Sequence, residues 1–202
     1  MPDRLCLERA LWESGRARIA GVDEVGRGCL FGPVVAAAVI LRREADLSCY
    51  RDSKTVAEPR REALFEKILA DGHLWSVAEV SAQEIDGTNI LAATLKAMKL
   101  AVGGLVEPPD FVLVDGPHSP DLLYPHEAVV HGDARSASIA AASIVAKVHR
   151  DRLVRGLEAR FPGYGLAKNK GYGTAEHLAA LRVMGPTPLH RRSFRGVGRG
   201  GA

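Results

Sequence analysis

The sequence predicts an α/β protein: a five-stranded mixed sheet flanked by helices, with a helical C-terminal region. Three observations predict it. Five short apolar runs are bounded by turn residues, runs of helical period lie between and after them, and the last two strands alternate with helices whereas the first three do not. At 202 residues, 47% hydrophobic and 25% charged, the chain is expected to form one domain, 1–202, with a real core.

The elements follow in order. The opening MPDRLCLERALWESGRAR is charged throughout and contains no apolar centre of a secretory signal. Arg18 to Val22 is the first strand and Val34 to Leu41 the second. Pro59 to Ala70 is a helix with Ala63, Leu64, Ile68 and Leu69 on one face, and Leu74 to Val80 is the third strand. Thr88 is a candidate cap for the helical run NILAATLKAMKLAV, which stops at Gly103-Gly104. Asp110 to Val114 and Glu127 to Val130 are the fourth and fifth strands. Ser136 or Ser138 begins a long helix reaching about Ala159, and Thr174 to Met184 forms the last, ending at Gly185. A meander makes the first three strands antiparallel, and helical crossovers set the last two parallel to the first.

Composition excludes several classes. The longest apolar run, Pro33 to Leu41, is far shorter than the roughly 20 residues that span a bilayer, so no membrane association and a cytoplasmic location are expected. The 3 cysteines, Cys6, Cys29 and Cys49, are an odd set without metal-ligand spacing and read as reduced thiols. Charge is unevenly placed: residues 160–202 carry eight basic side chains against Glu176, which leaves −4 on the rest of a chain of net charge +3. Such a basic segment suits a polyanion.

Acidic residues sit where strands end. Asp23 and Glu24 follow RIAGV, Asp115 follows DFVLV and Asp133 follows EAVVHG. Singly, each reads equally as a solvated turn residue or a helix cap. Together, on three strands, they converge on one sheet edge and make an oxygen-rich site for Mg²⁺ or Mn²⁺, two ions of which support phosphodiester hydrolysis. Adjacent strand residues face opposite ways, so the first strand is expected to end or bulge at Asp23-Glu24, eased by Gly26 and Gly28. The segment Gly26-Arg27-Gly28-Cys29-Leu30-Phe31-Gly32 misses a dinucleotide fingerprint, because Phe31 stands where glycine is needed and a strand follows instead of a helix. No nucleotide cofactor is expected. Its backbone amides are open to a sugar or phosphate, beside the cation of Arg27.

Six motifs in order, AGVDEVGRG, RDSKT, VDG, GDARSASIAAASIVAKVHRD, KGYGT and HRRSF, resemble bacterial ribonuclease HII, the type 2 ribonuclease H family, from Ile19 to Phe194. The resemblance implies a ribonuclease H-like fold and metal-dependent cleavage of the RNA strand of RNA/DNA hybrids. It also implies cutting 5′ of single ribonucleotides in duplex DNA, leaving 3′-hydroxyl and 5′-phosphate ends. By the same match, Asp23, Glu24, Asp115 and Asp133 are the catalytic, metal-binding carboxylates, with two Mn²⁺ or Mg²⁺ ions when substrate is bound. Gly26, Arg27 and Gly28 read the 2′-hydroxyl, and Tyr172 stacks on the sugar at the RNA–DNA junction. Ser53, Lys54, Lys147 and Lys170 are matched to substrate binding. Arg150 is expected at the metal–phosphate edge or solvating its helix, and Arg191, Arg192 and Arg195 are expected to add phosphate-binding cations in segment 160–202. Cys29 stands where many relatives have proline, and so does Gly173. His131 is expected to be a partly buried structural histidine. The short stretch before the first strand leaves no room for the extra domain of ribonuclease HIII, and a monomer is implied. The competing reading is a noncatalytic RNA/DNA duplex-binding domain.

Overall fold

The computed structural model describes residues 4–51 and 56–198. The strands are β1 (Ile19–Val25), β2 (Val34–Ile40), β3 (Leu74–Val80), β4 (Phe111–Asp115) and β5 (His126–Val129). They form one sheet in the order β3-β2-β1-β4-β5. β1 pairs antiparallel with β2 and β2 with β3, whereas β1–β4 and β4–β5 are parallel; these are the expected senses, but β4 reaches β5 through residues 116–125, which hold no helix, instead of by the expected helical crossover. The helices are α1 (Cys6–Glu13), α2 (Glu58–Ala70), α3 (Ala82–Gly87), α4 (Ile90–Gly103), α5 (Ala137–Gly156), α6 (Leu166–Asn169) and α7 (Ala175–Met184).

The two faces of β2 explain the layering. All seven residues of VVAAAVI are buried, and its small side chains let helices close on both sides. Ala36 and Ala38 share one core with Ala20 and Val22 of β1 and Ala93, Ala97 and Met98 of α4. Ala37 and Val39 share the other with Ala141 and Ile144 of α5 and Leu64 and Ile68 of α2. Gly21 sets how close α5 comes: a Cβ there would stand 2.1 Å from the carbonyl carbon of Ser138. Only hydrogen fits that contact.

Several boundaries differ from expectation for local reasons. Asn89, not Thr88, caps α4 by accepting from the Ala92 amide, while the Thr88 hydroxyl donates back to the Glu84 carbonyl and closes α3. Ser136 caps α5 through the Ile139 amide, and that helix stops at Gly156. The charged opening of the chain contains α1, whose Leu7, Leu11 and Trp12 pack against Ile19, Leu113, Val129 and Ile139. Glu8 of α1 is buried, and its Oε1 accepts from the Ser136 hydroxyl (2.5 Å), the Ser138 hydroxyl (2.8 Å) and the Ser138 amide (3.0 Å). The C-terminal region packs as a third core, in which Leu30 and Phe31 meet Tyr164, Leu166 and Leu181. No helix among the described residues is long and apolar enough to cross a membrane.

Candidate active site

β1 neither ends nor bulges at its acidic pair. Its antiparallel register with β2 continues regularly through Asp23↔Ala37, Glu24↔Ala36 and Val25↔Val35. Cross-strand partners project to the same face, so Asp23 lies on the α5 side with Ala37 and Glu24 on the α4 side with Ala36. Both still reach one site because parallel pairing of β1 with β4 stops at Val22↔Val114. Past that point the sheet is open, and Asp115 stands at the end of β4. A cleft of about 370 Å³ is lined by Asp23, Glu24, Asp115, Ser143, Lys147 and Tyr172. A smaller one of about 100 Å³ shares Glu24 and Asp115 and adds Arg27, Gly116 and His118.

Asp115 reaches beyond its own turn. Asp115 Oδ1 accepts from the Gly132 amide at 2.7 Å and the Asp133 amide at 3.4 Å, which draws the turn after β5 against the end of β4. Ser136, not Asp133, caps α5. Asp133 is 1% exposed on the turn Gly132–Ala134, beside Asp115 but outside the lining of either cleft. The structure therefore gathers three of the four carboxylates in one cleft, with the fourth adjoining Asp115.

Burial pushes the Asp23 carboxyl well above the usual carboxylate range, and the negative charges of Asp115 and Glu24 push it further; bonds from Ser143 and from the Glu24 amide at 2.7 Å offset part of this. Burial also raises Glu24, against the 3.2 Å ion pair with Arg27. Crowded carboxylates of this kind are relieved by protons or by a cation. The all-oxygen donor set suits a hard divalent ion. Among the described residues, no three His, Cys, Asp or Glu side chains stand grouped so as to hold an ion as they are placed.

The glycine-arginine loop lies at the rim. Gly26 has φ +89°, and a Cβ there would meet Arg150 Nε at 2.2 Å, so the position requires glycine. Arg27 and Gly28 are exposed. Arg150 neither reaches the cleft edge nor solvates its helix. It is buried, and its guanidinium donates to the carbonyls of Phe31, Pro33 and Lys170. Arg191 is likewise buried, donating to the carbonyls of Gly32 (3.0 Å) and Arg27 (2.9 Å), which removes it from the set of phosphate-facing cations. Lys147 bonds Asp151 at 2.7 Å and lies 5.5 Å from the Tyr172 ring centroid. Tyr172 is 40% exposed, and its hydroxyl contacts the Cys29 thiol. Lys170 lies beside it in the left-handed region (φ 51°), its ammonium on the Ala167 carbonyl. His131 is exposed rather than partly buried, because it occupies the left-handed turn (φ 56°) that precedes Gly132. Ser53 and Lys54 lie outside the described residues.

A family model described as Ribonuclease HII matches residues 20–197, which spans the sheet, the carboxylates and the C-terminal region. The chain belongs to the ribonuclease HII family. A ribonuclease HII of Desulfitobacterium hafniense (strain Y51) is 52% identical over 190 residues, covering 94% of this chain and 73% of that protein. The crystal structure of ribonuclease H2 from Pyrococcus horikoshii OT3 superposes with a TM-score of 0.75 at 27% identity, over 89% of this chain and 95% of that one. At 18% identity, a Bst ribonuclease HIII in complex with Mn²⁺ shares the fold, with a TM-score of 0.71 over 89% of this chain and 68% of that one. The protein is thus a ribonuclease H acting on RNA/DNA hybrids, a metal-binding endonuclease, and membership decides against the noncatalytic reading.

Residues that the sequence did not single out also reach the clefts: Arg61 of α2, Ser143 of α5 and His118 after β4. Ser143 lay within a quoted motif. Arg61 carried no signal, since one arginine in an exposed-looking helix is unremarkable until α2 packs on α5.

Proposed function

We propose that this protein is a monomeric nuclease that cuts 5′ of single ribonucleotides in duplex DNA as well as within longer RNA/DNA hybrids, leaving 3′-hydroxyl and 5′-phosphate ends. Asp23, Glu24, Asp115 and the adjoining Asp133 would hold two divalent ions, Mg²⁺ or Mn²⁺. The Mn²⁺ complex of the distant ribonuclease HIII is consistent with that choice. Bound there, such ions supply Lewis-acid stabilisation of the attacking and leaving oxygens of a phosphodiester.

The chain's own groups account for recognition. Backbone amides around Gly26 and Gly28 approach the 2′-hydroxyl, the group that distinguishes RNA from DNA. Tyr172 presents a half-open ring to the sugar at the junction, with Lys147 beneath it. Arg27, Lys170 and, outside the described residues, Ser53 and Lys54 meet phosphates, and the basic segment 160–202 follows the duplex. Arg27 pairs with Glu24 in the structure at 3.2 Å, and with Glu24 holding a cation its guanidinium would be free for the backbone.

The observation that carries this reading is the convergence of Asp23, Glu24 and Asp115 on one cleft whose far wall is Tyr172. The test is cleavage of a labelled DNA duplex containing one ribonucleotide and of a continuous RNA/DNA hybrid, with Mg²⁺ or Mn²⁺, with an all-DNA duplex and the Asp115→Asn protein as controls. Metal-dependent cutting 5′ of the ribonucleotide, absent from both controls, is expected. Full activity of Asp115→Asn refutes the metal assignment, and cutting of hybrid alone refutes the single-ribonucleotide specificity.

A further inference from the structure

Two buried histidines lie behind Tyr172, away from the carboxylates. His177 sits in the first turn of α7 and His190 in the loop that follows. Their Nε2 atoms are 2.9 Å apart. At one end, His177 Nδ1 is 2.9 Å from the Tyr172 carbonyl; at the other, His190 Nδ1 is 3.0 Å from the Thr187 amide. A backbone amide can only donate and a carbonyl can only accept, so one proton arrangement satisfies the whole chain. Thr187 N–H donates to His190 Nδ1, His190 Nε2–H donates to His177 Nε2, and His177 Nδ1–H donates to the Tyr172 carbonyl. Both rings must be neutral, and burial lowers both, His190 to about 4.

Packing holds this line of groups rigid. The His190 ring lies 4.9 Å from Phe31 and 4.9 Å from Tyr164. The same segment is stitched to the glycine-arginine loop: Arg191 N–H donates to the Leu30 carbonyl at 2.8 Å, and Leu30 N–H to the Gly171 carbonyl at 2.8 Å. The Tyr172 ring, by contrast, is partly open to solvent. Its direction depends on its backbone, between two glycines, and the Tyr172 carbonyl is where the histidine chain ends.

We propose that His177 and His190 are positioning residues: their hydrogen-bonded chain fixes the Tyr172 peptide so that the ring meets the sugar at a lone ribonucleotide. The proposal rests on the junction-reading role of Tyr172 given above. A continuous RNA strand offers many equivalent registers, so misaiming the ring reduces cleavage at a single ribonucleotide more than cleavage of a hybrid.

The test compares kcat and KM on a one-ribonucleotide duplex and on a continuous hybrid for wild type, Tyr172→Ala, His177→Gln, His177→Asn and Tyr172→Ala/His177→Gln. Asparagine can place an amide N–H where Nδ1 stood and keep the Tyr172 bond, whereas glutamine reaches toward Nε2 and loses it. The expected results are a loss of about tenfold in the single-ribonucleotide to hybrid ratio for His177→Gln, the scale of one lost hydrogen bond, and a ratio within about twofold of wild type for His177→Asn. The double variant is expected to be no worse than Tyr172→Ala. A wild-type ratio in His177→Gln, equal losses in both His177 variants, or multiplicative losses in the double variant overturns the proposal. An unchanged ratio in Tyr172→Ala removes the junction reading itself and the proposal with it. Should His177→Gln fail to fold, ¹⁵N spectra of the wild-type imidazoles decide: protons on His177 Nδ1 and His190 Nε2 at neutral pH are expected, and any other pair of tautomers overturns it.

Discussion

Arg191 shows how far a residue's role can lie from its type. Its guanidinium spans two carbonyls, those of Gly32 and Arg27, which a single ammonium cannot reproduce. Arg191→Lys is expected to cost about 1.5–3 kcal/mol in urea unfolding and to loosen the glycine-arginine loop, whereas Arg195→Lys, on an exposed arginine, is expected to leave stability unchanged. Tyr172→Ala is expected to reduce cleavage at a lone ribonucleotide more than it weakens nonspecific DNA binding; equal losses in the two assays would contradict the junction role. The strand-end carboxylates were legible in the sequence because the signal is local: an acid directly after an apolar run. The burial of Arg150 and Arg191 was not, because most of the carbonyls that satisfy them, those of Arg27, Phe31, Gly32 and Pro33, belong to a loop more than 100 residues away.

At the scale of elements, β1 departs most informatively from expectation. A strand can carry adjacent acids when a neighbouring strand stops short, since opposite faces then open into one gap. Nothing in the sequence of β1 announces where β4 will stop pairing. The short helices α1, α3 and α6 were missed for a related reason, their brevity and dependence on tertiary packing, whereas the long periodic runs of α2, α4, α5 and α7 were placed within a few residues. Two substitutions probe how the elements join. Gly21→Ala puts a methyl against the Ser138 carbonyl carbon at 2.1 Å and is expected to cost at least about 1–3 kcal/mol by forcing α5 off β1. Ser136→Ala removes both the α5 cap and a Glu8 bond, so its loss should exceed the ~1 kcal/mol typical of a cap alone. Both are read from chemical denaturation.

For the whole molecule, the sense of each strand pairing was expected from the sequence, but the helix-free link from β4 to β5 and the order β3-β2-β1-β4-β5 needed the structure. Charge couples fold to pH in two opposed ways. The lowered histidines, His177 and His190, contribute stability that is complete above the unfolded value of about 6.5 and is lost as pH falls, for His190 through about 4. The raised carboxyls of Asp23 and Glu24 work the other way, their repulsion growing as pH rises and they ionise. Divalent cation competes with protons for that cluster, so Mg²⁺ is expected to raise Tm more at pH 8 than at pH 5, and thermal melts at the two pH values check it. The Glu8 contact has a consequence for how the chain is made. Glu8 and Ser136 are 128 residues apart, and an eight-residue helix is not stable by itself. During synthesis α1 therefore emerges well before Leu113, Val129 and Ile139, against which it packs, and its contacts are complete only when α5 follows. Of the described elements, the first in chain order is among the last to fold.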